Sequence, residues 1–445
     1  MIEYRNLRVA LLGAGSVGAQ VVKLLLQHGD ELAQRSGAGL ELVGVAVRDL
    51  DAPRTADIPK HLLTTNAEEL ILGADIVVEL IGGLEPARTY ILQALNSGAD
   101  VITANKALLA THGPELFEAA EQVGAQLYYE AAVAAAIPII RPLRDSLAGD
   151  RIQRIMGIVN GTTNFILDRM DTAGESLEHA LATATELGYA EADPTADIEG
   201  YDAAQKAAIL ASLAFHTTVP IDKVYREGIT AVTLDQVEAA KRAGYVVKLL
   251  AIAERVTDPA TGGEGVSARV YPALIARTHP LATVHGGKNA VFIEAEAAGD
   301  LMFYGAGAGG IETASAVLGD LVSAARRHVI GGPGVAESNN ANLPILPIDR
   351  VITRYQITLR VVDQPGVLAA VATLFSEHDV SIETVQQTVA PLIDSDRVGE
   401  SVPGATLVIG THQAAEADLA ATVVSLAASA VVHSVTSVLR VEGAE

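Results

Sequence analysis

Lysine is scarce in this 445-residue chain, eight in all, and two of the eight keep unusual company. Lys206 closes Asp202-Ala203-Ala204-Gln205-Lys206, a spacing that on a helix sets acid and base on one face. An ordinary surface salt bridge would use the same spacing. Upstream, however, Glu191, Asp193, Asp197, Glu199 and Asp202 crowd a segment broken by Gly188, Pro194 and Gly200, which then enters the apolar run AAILASLAF. Carboxylates gathered before an apolar helix read as groups held at a cleft. Acids can take a substrate ammonium while a lysine protonates a developing alkoxide, which is what reduction of a carbonyl on an amino-acid skeleton requires. Lys106 ends Val101-Ile102-Thr103-Ala104-Asn105-Lys106, at the carboxyl end of a predicted strand, where open α/β sheets bind ligands.

A second constellation stands near the amino terminus. Gly13-Ala14-Gly15-Ser16-Val17-Gly18 follows the predicted strand LRVALLG and opens a predicted helix. Those glycines permit a tight turn and let backbone N–H groups approach a pyrophosphate at the positive helix end. Strand before and helix after are the context that gives this motif weight as a dinucleotide site. The next strand ends Val45-Ala46-Val47-Arg48-Asp49. An acid there would hold the ribose hydroxyls of NAD, and an arginine would pair with the 2′-phosphate of NADP. Arg48 comes first after the apolar run and tilts the reading to NADP(H), with NAD(H) possible and a merely solvated arginine the bland alternative.

The elements that must position these groups are legible in outline. Through about residue 137, apolar strands alternate with helical patterns, which implies a doubly wound parallel sheet of Rossmann type. SVGAQVVKLLLQHGDELAQR reads as one amphipathic helix. Residues 138–304 read as an α+β substrate and dimerisation domain, with Ala-rich helical patterns through about residue 254 and strands after it. A helix from Thr313 to His328 is expected to return to the first domain, so that 305–328 belongs with it. GAGAGG at 305–310 lacks a following βαβ unit and reads as a wall of the same cofactor cleft. Residues 329–350 are rich in Gly, Pro and Asn and read as a linker. Residues 351–445 show the order βαββαβ, a ferredoxin-like unit expected to be small and separate.

Composition narrows the partners. The formal net charge is −23, against a nucleic-acid or anionic-membrane surface. Cysteine is absent, which removes disulfides, thiol nucleophiles and thiolate metal sites and suits a reducing cytoplasm. Mean hydropathy is +0.30, but no stretch of about 18 residues stays apolar, and the first residues show no export signal. The 11 histidines are scattered without metal-ligand spacing.

Taken together, GAGSVG, TANKALLA, YYEAAVAAAIPII, GIVNGTTNFIL, LGYAEADPTADIEGYDAAQK and GAGAGG followed by TASAVLGD resemble the homoserine dehydrogenases, over essentially the whole chain. The likeness is to the monofunctional actinobacterial type with a C-terminal ACT domain, since no aspartokinase region precedes Met1. The resemblance implies NAD(P)-dependent interconversion of L-aspartate 4-semialdehyde and L-homoserine. It implies that Lys206 donates the proton, with Lys106 beside the reacting group and the nicotinamide. Glu191 and Asp202 would hold substrate, Asp197 would support the cluster, and Gly188 and Gly307 would border the cofactor. A monovalent cation, usually Na⁺, would sit in the loop of Glu130, Val133, Ala135 and Ile137, three of which offer only backbone carbonyls. The resemblance further implies a homo-oligomer, dimer or tetramer, and L-threonine as effector at Val362-Asp363-Gln364-Pro365-Gly366-Val367-Leu368. Two rivals stand beside it: another ACT-containing dehydrogenase, for which the usual His–acid pair is missing, and an amino-acid sensor that only binds nucleotide.

Overall fold

The computed structural model describes residues 6–258, 261–332, 334–337, 340–394 and 401–443. The chain begins β1 (Asn6–Leu12), α1 (Ser16–Gln27), α2 (Gly29–Ser36), β2 (Gly39–Ala46), β3 (Leu63–Thr64), α3 (Ala67–Leu72) and β4 (Ile76–Glu79). It continues α4 (Ala87–Asn96), β5 (Asp100–Thr103), α5 (Lys106–Val123), β6 (Leu127–Tyr128) and α6 (Ala131–Ala134). All six strands pair in parallel, in the order β3-β2-β1-β4-β5-β6. The order reverses between β1 and β4, and open α/β sheets bind ligands outside the carboxyl ends at such a point. Both faces are covered, so the strands are apolar without a break; Leu7, Leu12, Ile76, Val77 and Val101 are all buried. The expected single N-terminal helix is two, because the chain turns at His28 (φ −116°, ψ 17°) before Gly29.

Next come β7 (Ile152–Ile158), α7 (Gly161–Ala173), α8 (Leu177–Glu186), α9 (Thr195–Ile198), α10 (Tyr201–Phe215), β8 (Tyr225–Arg226) and α11 (Leu234–Arg242). Then follow β9 (Tyr245–Thr257), β10 (Glu264–Ala276), β11 (Lys288–Ala295), β12 (Gly299–Ala306) and α12 (Gly310–Ile330), the last longer than Thr313–His328. The helical reading through residue 254 is overturned at β9. That strand has β7 on one side and β10 on the other, with Val247, Leu249 and Ala251 in one core and Val246, Leu250 and Ile252 in a second. A strand buried on both faces shows no polar alternation, so periodicity cannot tell it from a buried helix. Helix α12 packs against α1 and returns this part of the chain to the parallel sheet, with Ala314, Val317 and Leu321 in the same core as Val21 and Leu25.

The last elements are β13 (Ile352–Val362), α13 (Val367–Glu377), β14 (Ile382–Asp394), β15 (Ser401–Thr411), β16 (Ala414–Ala415), α14 (Glu416–Ala428) and β17 (Val432–Glu442). The βαββαβ order is present, but the unit is not detached. Strand β17 pairs in parallel with β10 at Ala273–Ile275, so one sheet runs β12-β11-β7-β9-β10-β17-β13-β15-β14. The seam is charged. Glu442 is buried and meets Arg154 and the Tyr271 hydroxyl, and lies 3.7 Å from Arg269, itself 1% exposed. Arg440 pairs with Glu416 and, at 3.0 and 3.1 Å, with Glu227, and its guanidinium lies over the Tyr271 ring. Nor is the linker loose: Val266 N–H donates to Pro344 O at 2.9 Å and Leu346 N–H to Val266 O at 2.8 Å.

Removing one member of a buried ion pair strands the other charge away from water, at a cost of roughly 3–5 kcal/mol. Glu442→Ala is therefore expected to lower unfolding free energy by about that range in denaturant titration. A change below about 1 kcal/mol would show that the seam does not hold the two units together.

Candidate active site

The Gly13–Gly18 turn meets a dinucleotide's requirements one glycine at a time. Gly13 sits at φ +95°, and a side chain there would strike Leu80 O at 2.7 Å. Gly18 has Gly13 O at 2.0 Å from where a Cβ would stand, so α1 can lie on β1 only without one. At Gly15 a Cβ would meet nothing within 4 Å, and no side chain caps α1. That leaves free helical N–H groups facing open space, a place for a pyrophosphate. Ala14, Ser16 and Val17 complete the turn. Gly310 at the start of α12 abuts Ser16 O, with 2.7 Å from its would-be Cβ, so the GAGAGG loop flanks the same opening. Arg48, two residues past β2, is exposed and has no hydrogen-bond or ionic partner among the described residues.

The two lysines of the sequence reading converge on one carboxylate. Helix α5 starts at Lys106 because Asn105 caps it, its side chain accepting from Leu108 N at 3.1 Å. Helix α10 carries Asp202 and Lys206 one turn apart. Asp202 Oδ1 lies 3.2 Å from Lys106 Nζ, and its Oδ2 accepts from Lys206 Nζ at 2.8 Å. Lys206 Nζ also donates to Val159 O at 2.6 Å. An ammonium has three donors, so one N–H of Lys206 stays unspent. Burial alone would raise the Asp202 carboxyl, but Lys206 and Lys106 outweigh it and hold it at about 2. Asp197, in contrast, is raised: burial drives it up, an Asn160 hydrogen bond opposes, and the Asp202 charge adds.

Asn160 and Thr162 are the groups that the sequence reading left without roles. Asn160 caps α7 by accepting from Thr163 N at 2.9 Å, and its amide donates to Asp197 at 2.7 Å and Asp202 at 2.9 Å. Thr162 donates to Tyr189 O at 2.6 Å, tying α7 to the acidic loop, and Tyr189 stacks on Phe165 at 4.7 Å. The signal for Asn160 was an asparagine directly before Gly-Thr-Thr and an apolar helix, which is cap chemistry. Gly188 ends α8 at φ +78°. Glu191 is exposed and meets no partner among the described residues. Gly307 packs on the Asn289 amide, whose two polar atoms are buried and unpaired.

In the loop after β6, the Glu130 carboxylate is already engaged. It accepts from the N–H groups of Ile139, Ile140 and Arg141 at 2.6, 2.8 and 3.0 Å and from the Arg141 side chain at 2.9 Å. Only its carbonyl is left to ligate an ion, like those of Val133, Ala135 and Ile137. Ala135 stands at φ 49°, ψ −108°, a conformation costly for any side chain. Among the described residues no group of three or more His, Cys, Asp or Glu could hold a metal. None of the described helices is long and apolar enough to cross a membrane.

Comparison with known proteins places this geometry. Family profiles described as homoserine dehydrogenase, homoserine dehydrogenase NAD-binding domain and ACT domain match residues 138–322, 13–130 and 355–407. Homoserine dehydrogenase of Corynebacterium glutamicum is 53% identical over 98% of this chain and 95% of its own. The chain belongs to the homoserine dehydrogenase family. The homoserine dehydrogenase of Mycobacterium tuberculosis H37Rv is 54% identical over 98% of this chain and 97% of its own. The crystal structure of the enzyme from Thiobacillus denitrificans superposes with a TM-score of 0.87 at 38% identity, covering 98% of both chains. A hyperthermophilic archaeal homoserine dehydrogenase solved in complex with NADPH gives a TM-score of 0.60 at 27% identity, over 74% of this chain and 99% of its own. The chain is thus an oxidoreductase of this family with a nicotinamide-dinucleotide domain and a C-terminal ACT domain, and neither rival reading is needed.

Asp202 supplies a pH test with a definite sign. Its carboxyl falls from the ordinary 3.8 to about 2 on folding. A depressed pKa contributes stability that is present above about 3.8 and lost as pH falls toward 2. Two pH units correspond to roughly 2–3 kcal/mol. Asp202→Asn is expected to unfold more easily than wild type by about that amount at pH 7, with the gap narrowing below pH 4. A gap independent of pH would mean that the charge is not what holds the lysines.

Proposed function

We propose that this enzyme interconverts L-aspartate 4-semialdehyde and L-homoserine at the Lys106–Asp202–Lys206 centre, using NADP(H). The observation that carries this reading is one carboxylate joining a lysine at the mouth of the dinucleotide sheet to a lysine of the mixed domain. When bound, the dinucleotide supplies or accepts the hydride. Lys206 gives its third N–H to the substrate oxygen, and Asp202 keeps that ammonium aimed. Lys106 adds positive charge as an alkoxide develops, Glu191 and Asp202 hold the substrate, and Asp197 supports the cluster. Gly188 and Gly307 border the cofactor, and Arg48 pairs with its 2′-phosphate. Carbonyls of Glu130, Val133, Ala135 and Ile137 would hold a monovalent cation, for which oxygen ligands suit Na⁺. The strain at Ala135 fits a loop shaped for a ligand.

The ACT unit is read as the seat of inhibition by L-threonine. Gly366 caps α13 at φ +92° with open space where a Cβ would stand, so helix N–H groups can meet a carboxylate. Strand β14 is a sheet edge with Val385 and Val389 exposed, which supports pairing with a second copy in a homo-oligomer. Because β17 is built into the catalytic sheet, deletion of this unit would disturb more than regulation. A point change is the sharper tool.

Lys206→Ala is expected to cut turnover by roughly 10²–10⁴-fold with NADPH binding unchanged, in steady-state assays and fluorescence titration. Near-wild-type turnover in a folded variant would remove Lys206 from the proton step. Arg48→Ala should weaken NADPH by about 1.5–3 kcal/mol and leave NADH kinetics alone, and equal losses would assign Arg48 another role. Gly366→Val should keep basal activity and lose threonine inhibition; an unchanged inhibition constant would place threonine elsewhere.

A further inference from the structure

Among buried ionisable groups outside the lysine centre, Glu79 stands out. It is the last residue of β4, directly at the reversal of strand order, paired with Leu12 of β1 on one side and Thr103 of β5 on the other. Leu12 precedes the Gly13 turn, and Thr103 lies three residues before Lys106. Glu79 is 0% exposed and has no ionic partner within 4.0 Å among the described residues. Buried carboxylates are ordinarily paired with a cation, so an unpaired one at a ligand-binding edge asks for a reason.

Its hydrogen bonds define its state. Oε1 accepts from Ile81 N–H at 2.7 Å and Gly82 N–H at 3.2 Å, and Oε2 accepts from the Thr103 hydroxyl at 2.6 Å. The Thr103 oxygen accepts from Asn105 N–H at 3.0 Å, which turns its own proton toward Glu79. Both carboxylate oxygens therefore accept hydrogen bonds from neutral dipoles, the surroundings that suit an anion. Asn105 completes the ring by donating to Gly83 O at 2.6 Å. The ring fastens the loops after β4 and β5 to each other, with Lys106 on its rim.

The dinucleotide crosses this edge with its ends on opposite sides of the reversal. Arg48 marks the adenosine side beyond β2, and Lys106 marks the reacting side beyond β5, so the nicotinamide half belongs over the ends of β4 and β5. An oxidised nicotinamide ring carries a positive charge and a reduced ring carries none. We propose that Glu79 is an electrostatic determinant of the reaction, a fixed buried anion that favours the oxidised over the reduced cofactor and so drives hydride toward the aldehyde. The proposal rests on the cofactor reading above for the side of the sheet that each half occupies.

At an effective dielectric constant near 20, a unit charge facing another across the protein is worth enough to change an affinity ratio by roughly tenfold or more. Equilibrium titration reads this without turnover: NADPH by its fluorescence, NADP⁺ by competition. Glu79→Gln keeps the acceptor for Ile81 and Gly82 and offers an N–H that the Thr103 hydroxyl can accept. It is expected to weaken NADP⁺ about tenfold relative to NADPH, with NADPH changed less than about threefold. If Glu79→Gln does not fold, Glu79→Met, neutral and of similar length, takes its place. Glu79→Asp and Thr103→Val disturb the ring and keep the charge, so their NADP⁺ to NADPH ratios should stay within about twofold of wild type. A wild-type ratio in the neutral variants, or an equal shift in the charged ones, would overturn the proposal. If wild type prefers NADH, the 2′-phosphate reading fails by itself, and NAD⁺ and NADH carry the same test with the same sign.

Discussion

Two ammonium groups cannot be kept close together in a partly buried cleft unless an anion stands between them, and Asp202 is that anion. Its two oxygens reach lysines that arrive from different parts of the fold, Lys106 from the end of the parallel sheet and Lys206 from the next turn of its own helix. Much of the surrounding architecture serves this contact. Asn105 sets where α5 begins, Val159 takes a second donor of Lys206, and Asn160 holds Asp202 and Asp197 with one amide. Burial works against the Asp202 charge, and the paired lysines decide the outcome.

The same economy of charge recurs at the seam between the mixed sheet and the ACT unit. Glu442 and Arg440 alternate along β17, and each meets groups of opposite sign from the mixed domain, with Tyr271 between them. Arg440 reaches Glu227, and the neighbouring Arg226 lies 3.6 Å over the Tyr201 ring and donates to Glu199 O. Tyr201 adjoins Asp202. A set of packed polar contacts therefore joins the C-terminal unit to the helix that carries Asp202 and Lys206.

Much of this was legible in the residues themselves. The glycine spacing at 13–18, the i,i+4 pair Asp202–Lys206 and the βαββαβ order after residue 351 each encode a local geometry, and local geometry is written in short stretches of sequence. What failed also failed for a local reason. Strand β9 reads as helix because both its faces are buried and its apolar residues show no period, and His28 breaks a helix whose apolar spacing runs on through it.

What the sequence determined alone was which groups exist and which neighbours share a face: the dinucleotide turn, the lysines, the acids and the family they mark. What only the tertiary structure decided was which distant groups share a charge. Lys106 and Asp202 are 96 positions apart, Glu442 answers arginines at 154 and 269, and Glu79 depends on Thr103 in the adjoining strand. Likewise, only packing showed that the Glu130 carboxylate is consumed by N–H groups of residues 139–141, leaving its carbonyl as the only oxygen for an ion. Electrostatic state depends on burial and on partners brought in by the fold, and neither is a property of spacing along the chain.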